Sequence, residues 1–423
     1  MKKLANKKLN GYSIPFAILV FVVVIILSGS ITLATYENNT VINRFFIMEK
    51  MDSNAMSALN IMIAHTNDFP YHQTQSFSLF GENMDSVSTY KERWGAFDII
   101  KANASCRGIR RSHSALIGSY RYDSSAVTLF IPDAGKSIAL VGNVNINGRC
   151  ELPESKFSQP SIEGRNFTGN TNRVNAITSK DRLPSLTPRL ADLKGDNLIP
   201  EALRNHVVTY YEWTSDTLAG SFLSDTTTTL YANDPILLDR KCLMGKVMIV
   251  SERSITIQAS TTLSDVICFA PYIHIMKGFS GNCQLYASDS IIIEENCLLK
   301  YPSVVGINND KADNPTALTI KKDCHLDGVA FLHSQSDNGC QNILHIETGA
   351  TVNGQVYSNR YTEIKGTING SLYTNKLILR TPSSIYENTI MDANIDLAKL
   401  SKNYVGVDII DEGSSGGVIK WLH

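Results

Sequence analysis

The chain begins with one long apolar segment. No charged residue occurs between Leu9 and Tyr36, and Ile14 to Ala34 is a run of 21 mainly apolar residues. About 20 residues in a helix cross the hydrocarbon core of a bilayer. Four lysines precede the run and mixed charge follows it, a pattern that keeps the N-terminus in the cytoplasm. We predict a basic cytoplasmic tail over 1–11 and a transmembrane signal-anchor helix over 12–35, with the bilayer as its partner.

The apolar segment is followed by a helical pattern. There is no Gly or Pro from Ser30 to Phe69. Apolar residues recur at the three- and four-residue spacing of one helix face, at Ile42, Phe45, Phe46, Met48, Met51, Ala55, Met56, Leu59 and Ile63. This predicts a helical stalk over 36–66 that Pro70 ends. The stripe either packs on the soluble domain or forms a self-association seam.

A regular repeat of apolar triplets organises the C-terminal half. Ile255-Thr256-Ile257 is followed eighteen positions later by Ile273-His274-Ile275 and, after the same interval, by Ile291-Ile292-Ile293. A second register with this period joins Ile249, Ile267 and Leu285. Short apolar strands at a fixed period cannot bury their inward row alone, so successive coils must stack. The repeat predicts a parallel β-helix (solenoid) with inward isoleucine ladders.

A second repeat has a slightly shorter period, of sixteen positions. The segment 351–359 matches 367–375, and both contain an Asn-Gly dipeptide, which is typical of turns. An earlier fragment, 145–148, has the same Ile-Asn-Gly element. The solenoid is therefore expected to begin near residue 137 and to resume near 244 after an interruption.

The segment from about 344 to 380 resembles bactofilins, the polymer-forming β-helical scaffold proteins of bacteria. The resemblance rests on the Val/Ile-x-Gly-x-Val/Ile elements around Gly354 and Gly370. It implies a right-handed parallel β-helix and a scaffold role. The membrane anchor, the stalk and the long insert are departures from that family, and bactofilins mostly face the cytoplasm.

The N-terminus permits two other interpretations. A basic leader ending at Gly11 before an apolar helix resembles type IV pilin and pseudopilin precursors, which usually carry Glu as the fifth residue after the cut. Here that position is Phe16. The apolar stretch 14–27 followed by Ser28-Gly29-Ser30 also fits a cleaved signal peptide, although no A-x-A site follows.

The rest of the chain divides into three regions. We expect a mixed β-rich region with an insert over 67–240, the β-solenoid over 241–380 and a C-terminal cap or tail over 381–423. Short helices are predicted at 200–206 and near 392–402. The overall fold class is mainly β, behind one N-terminal helix.

Composition excludes some functions. Lys and Arg number 39 against 40 Asp and Glu, so no global basic field would hold nucleic acid. The hydrophobic fraction of 43% is enough for a packed core. No phosphate-binding loop, nucleophile-elbow or zinc-protease motif occurs.

Candidate chemistry is weak. The eight cysteines show no C-x-x-C and no zinc-finger spacing; outside the cytoplasm some could form disulfides, and others fit buried positions as free thiols. His274 should point outward, and His325 and His333 could share a surface. The solenoid acids show no pair at coil period, and they are Asp265, Asp289, Glu294, Glu295, Asp323, Asp327 and Glu347. We predict no catalytic, cofactor-binding or metal site.

These patterns favour a non-enzymatic, single-pass protein of the bacterial inner membrane. Its β-helix domain would lie in the periplasm and act as a scaffold or assembly subunit, through self-association or contacts with other envelope proteins. One alternative is a pilin-like component of a secretion apparatus. Another is a carbohydrate-binding or carbohydrate-active β-helix protein, which requires outward acids or aromatic rings along one face.

Overall fold

The structure is a computed structural model. It describes residues 13–81, 86–194, 207–210, 213–224, 226–311, 313–336, 338–410 and 416–422. The basic tail with Gly11 and the helix predicted at 200–206 lie outside the described residues, so the structure does not address the predictions made for them.

The N-terminal segment is one continuous helix, α1 (Ser13–Ala64). At 1.5 Å per residue its 52 residues extend about 78 Å. Pro15 lies in the first turn, where a missing backbone N–H costs little, and the next Pro is Pro70. A 3₁₀ turn at Thr66–Asp68 ends the helical run. The anchor and the stalk predicted from the sequence are therefore two parts of a single element.

The helix is followed by an antiparallel sheet. Its strands, in spatial order, are β1 (Gln75–Ser78), β2 (Ser86–Trp94), β3 (Phe97–Cys106), β4 (Ile109–Gly118) and β30 (Gly417–Leu422). Two-residue hairpin loops join β2 to β3 and β3 to β4. In the second loop both Arg107 and Gly108 have positive φ, as a type I′ turn requires. The last described strand of the chain thus completes a sheet that begins at residue 75.

Most of the remaining strands pair in parallel. The first group consists of β6 (Val127–Phe130), β7 (Ile138–Val141), β8 (Asn145–Leu152), β9 (Phe157–Ser158) and β10 (Asn170–Thr178). The second group consists of β11 (Val207–Thr209), β12 (Thr217–Gly220), β13 (Thr228–Ala232), β14 (Ile236–Leu238), β15 (Cys242–Gly245), β16 (Val247–Ser251), β17 (Ser254–Ile257), β18 (Thr262–Ile275), β19 (Ser280–Ile293), β20 (Leu298–Asn309), β21 (Ala317–Ile320), β22 (His325–Ser334), β23 (Ile343–Ile346), β24 (Thr351–Ile364), β25 (Thr367–Arg380), β27 (Thr389–Met391) and β28 (Asn394–Asp396).

Four further short elements belong to the fold. The strand β26 (Ile385–Glu387) forms an antiparallel pair with β25, and β29 (Val405–Gly406) forms one with β5 (Tyr120–Arg121). A short helix, α2 (Pro188–Ala191), lies in the segment between β10 and β11. The large set of parallel strands closes into a barrel-like sheet, and β7, β9 and β27 form a separate small sheet.

The isoleucine register predicted from the repeated triplets is present. Ile255 pairs with Ile273, and Ile273 pairs with Ile291. All three are at most 1% exposed. The same row continues to Leu318 and Leu344. Parallel strands lie about 4.8 Å apart, so these side chains form a continuous apolar ladder.

The second predicted register is wrong by one residue. Ile249 pairs with Cys268, which pairs with Leu285. Ile267 instead pairs with Met248 and Gln284 and faces the opposite side of the strand. The first ladder step is one position longer than the predicted period and the second is one position shorter, because the pairing register of β18 shifts by one residue between Ala270 and Tyr272. Only the total distance from Ile249 to Leu285 equals two of the predicted repeats.

The second repeat is paired along its length, from Thr351 with Thr367 to Ser358 with Thr374. Its Asn-Gly dipeptides lie within strands and make no turns. Gly354 and Gly370 have φ of 151° and 154°. A Cβ on either would lie 1.9 or 1.7 Å from the carbonyl oxygen of the glycine in the neighbouring strand. Close stacking therefore requires glycine here.

The order of the parallel strands is not the order of the chain. The strand β8, which contains the Ile-Asn-Gly element at 146–148, pairs with β28 on one side and β10 on the other. The fragment seen early in the sequence is therefore added beyond the C-terminal strands of the stack. The chain then crosses over and resumes at β11.

The C-terminal prediction needs correction. The region near 392–402 is not an α-helix; it contains β28 and a 3₁₀ turn at Leu397–Lys399. Ile395 pairs with Ile368 and Ile146 inside the parallel sheet. An inward isoleucine in a ladder, flanked by polar Asn394 and Asp396, is a strand pattern that the helical interpretation overlooked.

Candidate interaction surfaces

The first part of α1 is exposed. Its large apolar side chains from Ile14 to Phe46 have relative exposures of 42–70%. This helix is long and apolar enough to cross a membrane. A core of about 30 Å accommodates roughly 20 helical residues, so a span over 14–34 leaves Val41, Ile42, Phe45 and Phe46 beyond the hydrocarbon. These four residues are defined here as the juxtamembrane apolar patch.

The last part of α1 is buried against the antiparallel sheet. Met51, Ala55, Ala58, Leu59 and Met62 are at most 1% exposed. They form one apolar cluster with residues of β2, β3 and β4, namely Val87, Ile100, Ala102, Ala104, Ala115 and Ile117. The predicted stripe is therefore exposed in its first part and buried in its second part. Packing is confirmed from residue 51 onward, and the patch before it has no apolar cover within the described residues.

A row of aromatic side chains lies on the face of the parallel sheet opposite the isoleucine ladder. Tyr231, Val250, Phe269 and Tyr286 occupy successive paired positions, and Phe331, Tyr357 and Tyr373 continue the row after Gly306. Phe269 and Tyr286 stack at 5.0 Å between ring centroids. Trp94 and Phe97 of the antiparallel sheet belong to the same cluster. The row therefore packs the parallel sheet against the antiparallel sheet.

Buried charges cross the same interface. The Lys246 ammonium donates to Glu92 at 2.8 Å, and Lys101 lies 3.1 Å from the same oxygen. Arg189 of α2 makes a two-point pair with Asp98 of β3, at 2.7 and 3.0 Å. All five side chains are at most 16% exposed. Sequence reasoning missed this network because Arg189 and Lys246 are far along the chain from the carboxylates that they pair with.

A cavity of about 730 Å³ opens beside one end of the aromatic row. Its lining includes Tyr231, Phe269 and Tyr286 together with Glu252 and Asp310. Tyr231 donates to Glu252, and Lys194 pairs with Asp310. Lys311 is the other charged lining residue, so two cations balance two carboxylates and the cavity carries no net charge.

The acids selected from the sequence are engaged separately. Glu294 accepts from His274 and Lys321, whose hydrogen bonds hold the pKa of Glu294 below its usual value. Glu295 pairs with Lys277 at 2.7 Å. Asp265 pairs with Lys420, Asp289 with Asn314, Asp327 with Asn353 and Asp323 with Lys322, while Glu347 accepts from the Lys322 amide. These contacts do not join two of the acids across a groove.

The selected histidines do not converge either. His274 is partly exposed, as predicted, and bonds to Glu294 at 3.0 Å. His325 is exposed at the start of β22, and His333 is near its end. Desolvation lowers the pKa of His333. Among the described residues there is no cluster of three or more His, Cys, Asp or Glu side chains that could hold a metal ion.

All eight cysteines are free thiols in this structure, so the expected disulfides are not found in it. Five are buried: Cys150, Cys268, Cys283, Cys297 and Cys324. Cys268 lies in the inward ladder, between Ile249 and Leu285. Burial raises the pKa of Cys150 and of Cys283 to about 12.

Comparisons with known proteins add little. No protein-family model and no curated protein matches the chain. Among solved structures, the chain is similar to the competence-associated pilin ComZ from Thermus thermophilus, at 10% identity over 84% of this chain and 87% of that one. The TM-score of 0.16 is too low to support an argument about fold or function. The chain's own geometry establishes a mainly β protein with one long N-terminal apolar helix.

Proposed function

We propose that the protein is a single-pass, pilin-like assembly subunit of the bacterial cell envelope. The observation that carries this proposal is the division of α1 into an exposed apolar part and a part buried in an antiparallel sheet. One element thereby joins a membrane segment rigidly to a folded domain. The juxtamembrane apolar patch, beyond the reach of the hydrocarbon, is then available to a neighbouring subunit.

In this proposal the N-terminus lies in the cytoplasm of an inner-membrane protein and the β domain lies in the periplasm. The parallel strands are interpreted as a β-helix, since residues 16 to 27 positions apart pair in parallel with inward ladders. The bactofilin-like repeat then supplies a rigid scaffold that projects from the assembly. The protein acts by binding other subunits, without catalysis.

Mass spectrometry of the mature N-terminus tests the pilin-like part. We expect the chain isolated from its own membranes to begin at Tyr12, after cleavage behind Gly11. The variant Gly11→Val should retain Met1 or its processed form, and Gly29→Val serves as a control because a Cβ there meets nothing within 4 Å. An intact N-terminus in the assembled wild-type protein would contradict pilin-like processing and leave an uncleaved anchor.

A second candidate function, the binding of a neutral glycan, is favoured by the cavity beside Tyr231. Its volume lies within the range of small-molecule sites, and its lining combines aromatic side chains, carboxylates and hydroxyl groups without net charge. Calorimetric titration of the full chain with malto-, cello-, xylo- and chito-hexaose tests it. Binding should weaken in Tyr231→Ala and persist in Tyr272→Ala, an exposed aromatic on β18 outside the lining. No heat with any of the four sugars would contradict this function.

A further inference from the structure

Two buried cysteines occupy equivalent positions, each immediately before one of two neighbouring strands, β20 and β22. Leu298 pairs with His325 in parallel, and the His325 amide donates to the carbonyl of Cys297 at 2.8 Å. Cys297 and Cys324, the residues just before this pair, are therefore direct neighbours in the ladder. Parallel strands lie about 4.8 Å apart, which is inside the Cα separation that disulfides span.

Their side chains also point in the same direction. Cys297 donates to the carbonyl of Met276 at 3.3 Å, and Cys324 donates to the carbonyl of Glu294 at 2.8 Å. Met276 lies between β18 and β19, and Glu294 lies between β19 and β20. Each thiol therefore donates to the connection that precedes its own strand's neighbour in the sheet.

A second cysteine pair provides an internal contrast. Cys268 and Cys283 lie on the neighbouring strands β18 and β19, but Cys283 pairs with Val266 and Cys268 pairs with Leu285. Their offset is two residues along the strand, which adds about 6–7 Å to the separation across the sheet. The vector sum is about 8 Å between Cα atoms, beyond the usual disulfide range.

We propose that Cys297 and Cys324 form a redox-active dithiol that oxidises to a disulfide linking two successive strands of the parallel sheet. The oxidant is an external disulfide, such as that of a thiol–disulfide oxidoreductase or glutathione. The Cys297 thiolate attacks one sulfur of that disulfide and displaces a thiolate. Cys324 then loses its proton and attacks the Cys297 sulfur, which displaces the second thiolate. Two electrons and two protons leave the protein, and the oxidant becomes two thiols.

The surroundings favour Cys297 as the attacking group. Interaction with the neighbouring Cys324 thiol lowers the pKa of Cys297 to about 7, so a substantial fraction is thiolate at neutral pH. The same interaction, together with burial, raises the pKa of Cys324. Burial also raises the pKa of Cys283 to about 12 and that of Cys268 well above its usual value, so that pair stays protonated. Cys297 follows exposed Asn296 at a turn, where local opening admits the oxidant.

Peptide mapping of the full chain in detergent tests the proposal without assuming any membrane orientation. The protein is equilibrated with mixed reduced and oxidised glutathione, quenched in acid, alkylated and digested with trypsin. The peptide 278–300 carries Cys283 and Cys297, and 323–360 carries Cys324 and Cys340. We expect these two peptides to be joined, with the loss of two hydrogens. The link should persist in Cys283→Ala and Cys340→Ala and vanish in Cys297→Ala and Cys324→Ala.

The contrast pair supplies the control. A link between 254–277 and 278–300 would join Cys268 to Cys283, and we expect none. Fully alkylated Cys297 and Cys324 in the oxidised sample would overturn the proposal, as would a link that survives Cys297→Ala. Alkylation of both cysteines is measured in the wild-type protein alone. This test therefore does not depend on whether the variants fold. The result is also independent of where the N-terminus is cleaved.

Discussion

The two parts of α1 have similar apolar content but opposite environments. The exposed part presents large or β-branched residues, including Phe21, Ile25, Phe45 and Phe46. The buried part includes Ala55 and Ala58, and it faces alanines on the sheet at 102, 104 and 115. Small residues on both sides let a helix and a sheet approach closely, whereas large ones suit lipid or a groove in another chain. The alanines at this contact, on the helix and on the sheet, distinguish the buried part from the exposed part.

The largest expected effect comes from a charge placed in the buried part. Leu59→Asp should destabilise the folded domain by about 5 kcal/mol, because the carboxylate would be buried without a partner. Phe45→Asp is the matched change in the exposed part and should leave unfolding in detergent unchanged. Urea unfolding of the two full-length variants measures the difference. Equal loss of stability in both would contradict the division of α1.

Truncating a buried side chain in the parallel sheet should also reduce the stability of the protein. Ile273→Ala removes a ladder side chain that is 1% exposed and should cost about 3 kcal/mol. Leu237→Ala removes a side chain that is 51% exposed and should change stability by less than about 0.5 kcal/mol. Thermal unfolding followed by circular dichroism compares them. A small effect of Ile273→Ala would show that the ladder is not a tight core.

Removing a buried charge between the parallel sheet and the antiparallel sheet should reduce stability by an intermediate amount. Lys246→Met leaves Glu92 buried with Lys101 as its remaining cation, and we expect a loss of about 2 kcal/mol at neutral pH. Lys277→Met breaks the solvent-exposed pair with Glu295, where screening makes any contribution too small to measure. Chemical unfolding at one salt concentration compares the variants. If Lys246→Met is as stable as Lys277→Met, the buried ion pairs around Glu92 do not stabilise the contact between the two sheets.

The smallest expected effect is a pH dependence from His333. Desolvation lowers its pKa in the folded protein, so the unfolded chain takes up the proton more readily. Stability therefore falls as the pH drops below the ordinary histidine value of about 6.5 and is recovered above it. His333→Gln should flatten this slope between about pH 7 and pH 5. His325→Gln, the same substitution at an exposed position on the same strand, is the matched control variant.

The sequence allowed the elements with a strict period to be predicted. The long helix and the ladder through Ile255, Ile273 and Ile291 follow from local spacing, and both are present. The second register failed because β18 contains a one-residue register shift between Ala270 and Tyr272, which displaces Cys268 relative to Ile249 and Leu285. A period averaged over two steps cannot reveal a shift that one step adds and the next removes.

The long-range features could not be predicted from the sequence. β30 completes the antiparallel sheet, and β8 extends the far end of the parallel sheet. Both contacts join segments that lie far apart in the chain, and no local pattern encodes them. The same holds for Glu92 with Lys246 and for Cys297 with Cys324, where chemistry arises from register and from packing between units. Single-sequence periodicity identifies strands but not their spatial order.

Site-specific photocrosslinking in membranes gives the most direct test of the proposed assembly through α1. A photoreactive phenylalanine derivative is placed at Phe45, within the juxtamembrane apolar patch, and in a second sample at Leu237, an exposed residue of the parallel sheet. We predict crosslinked protein adducts from position 45, either to a second copy or to another envelope protein, and none from position 237. Crosslinks from position 45 to lipid alone would contradict assembly through the helix and leave α1 as a membrane anchor only.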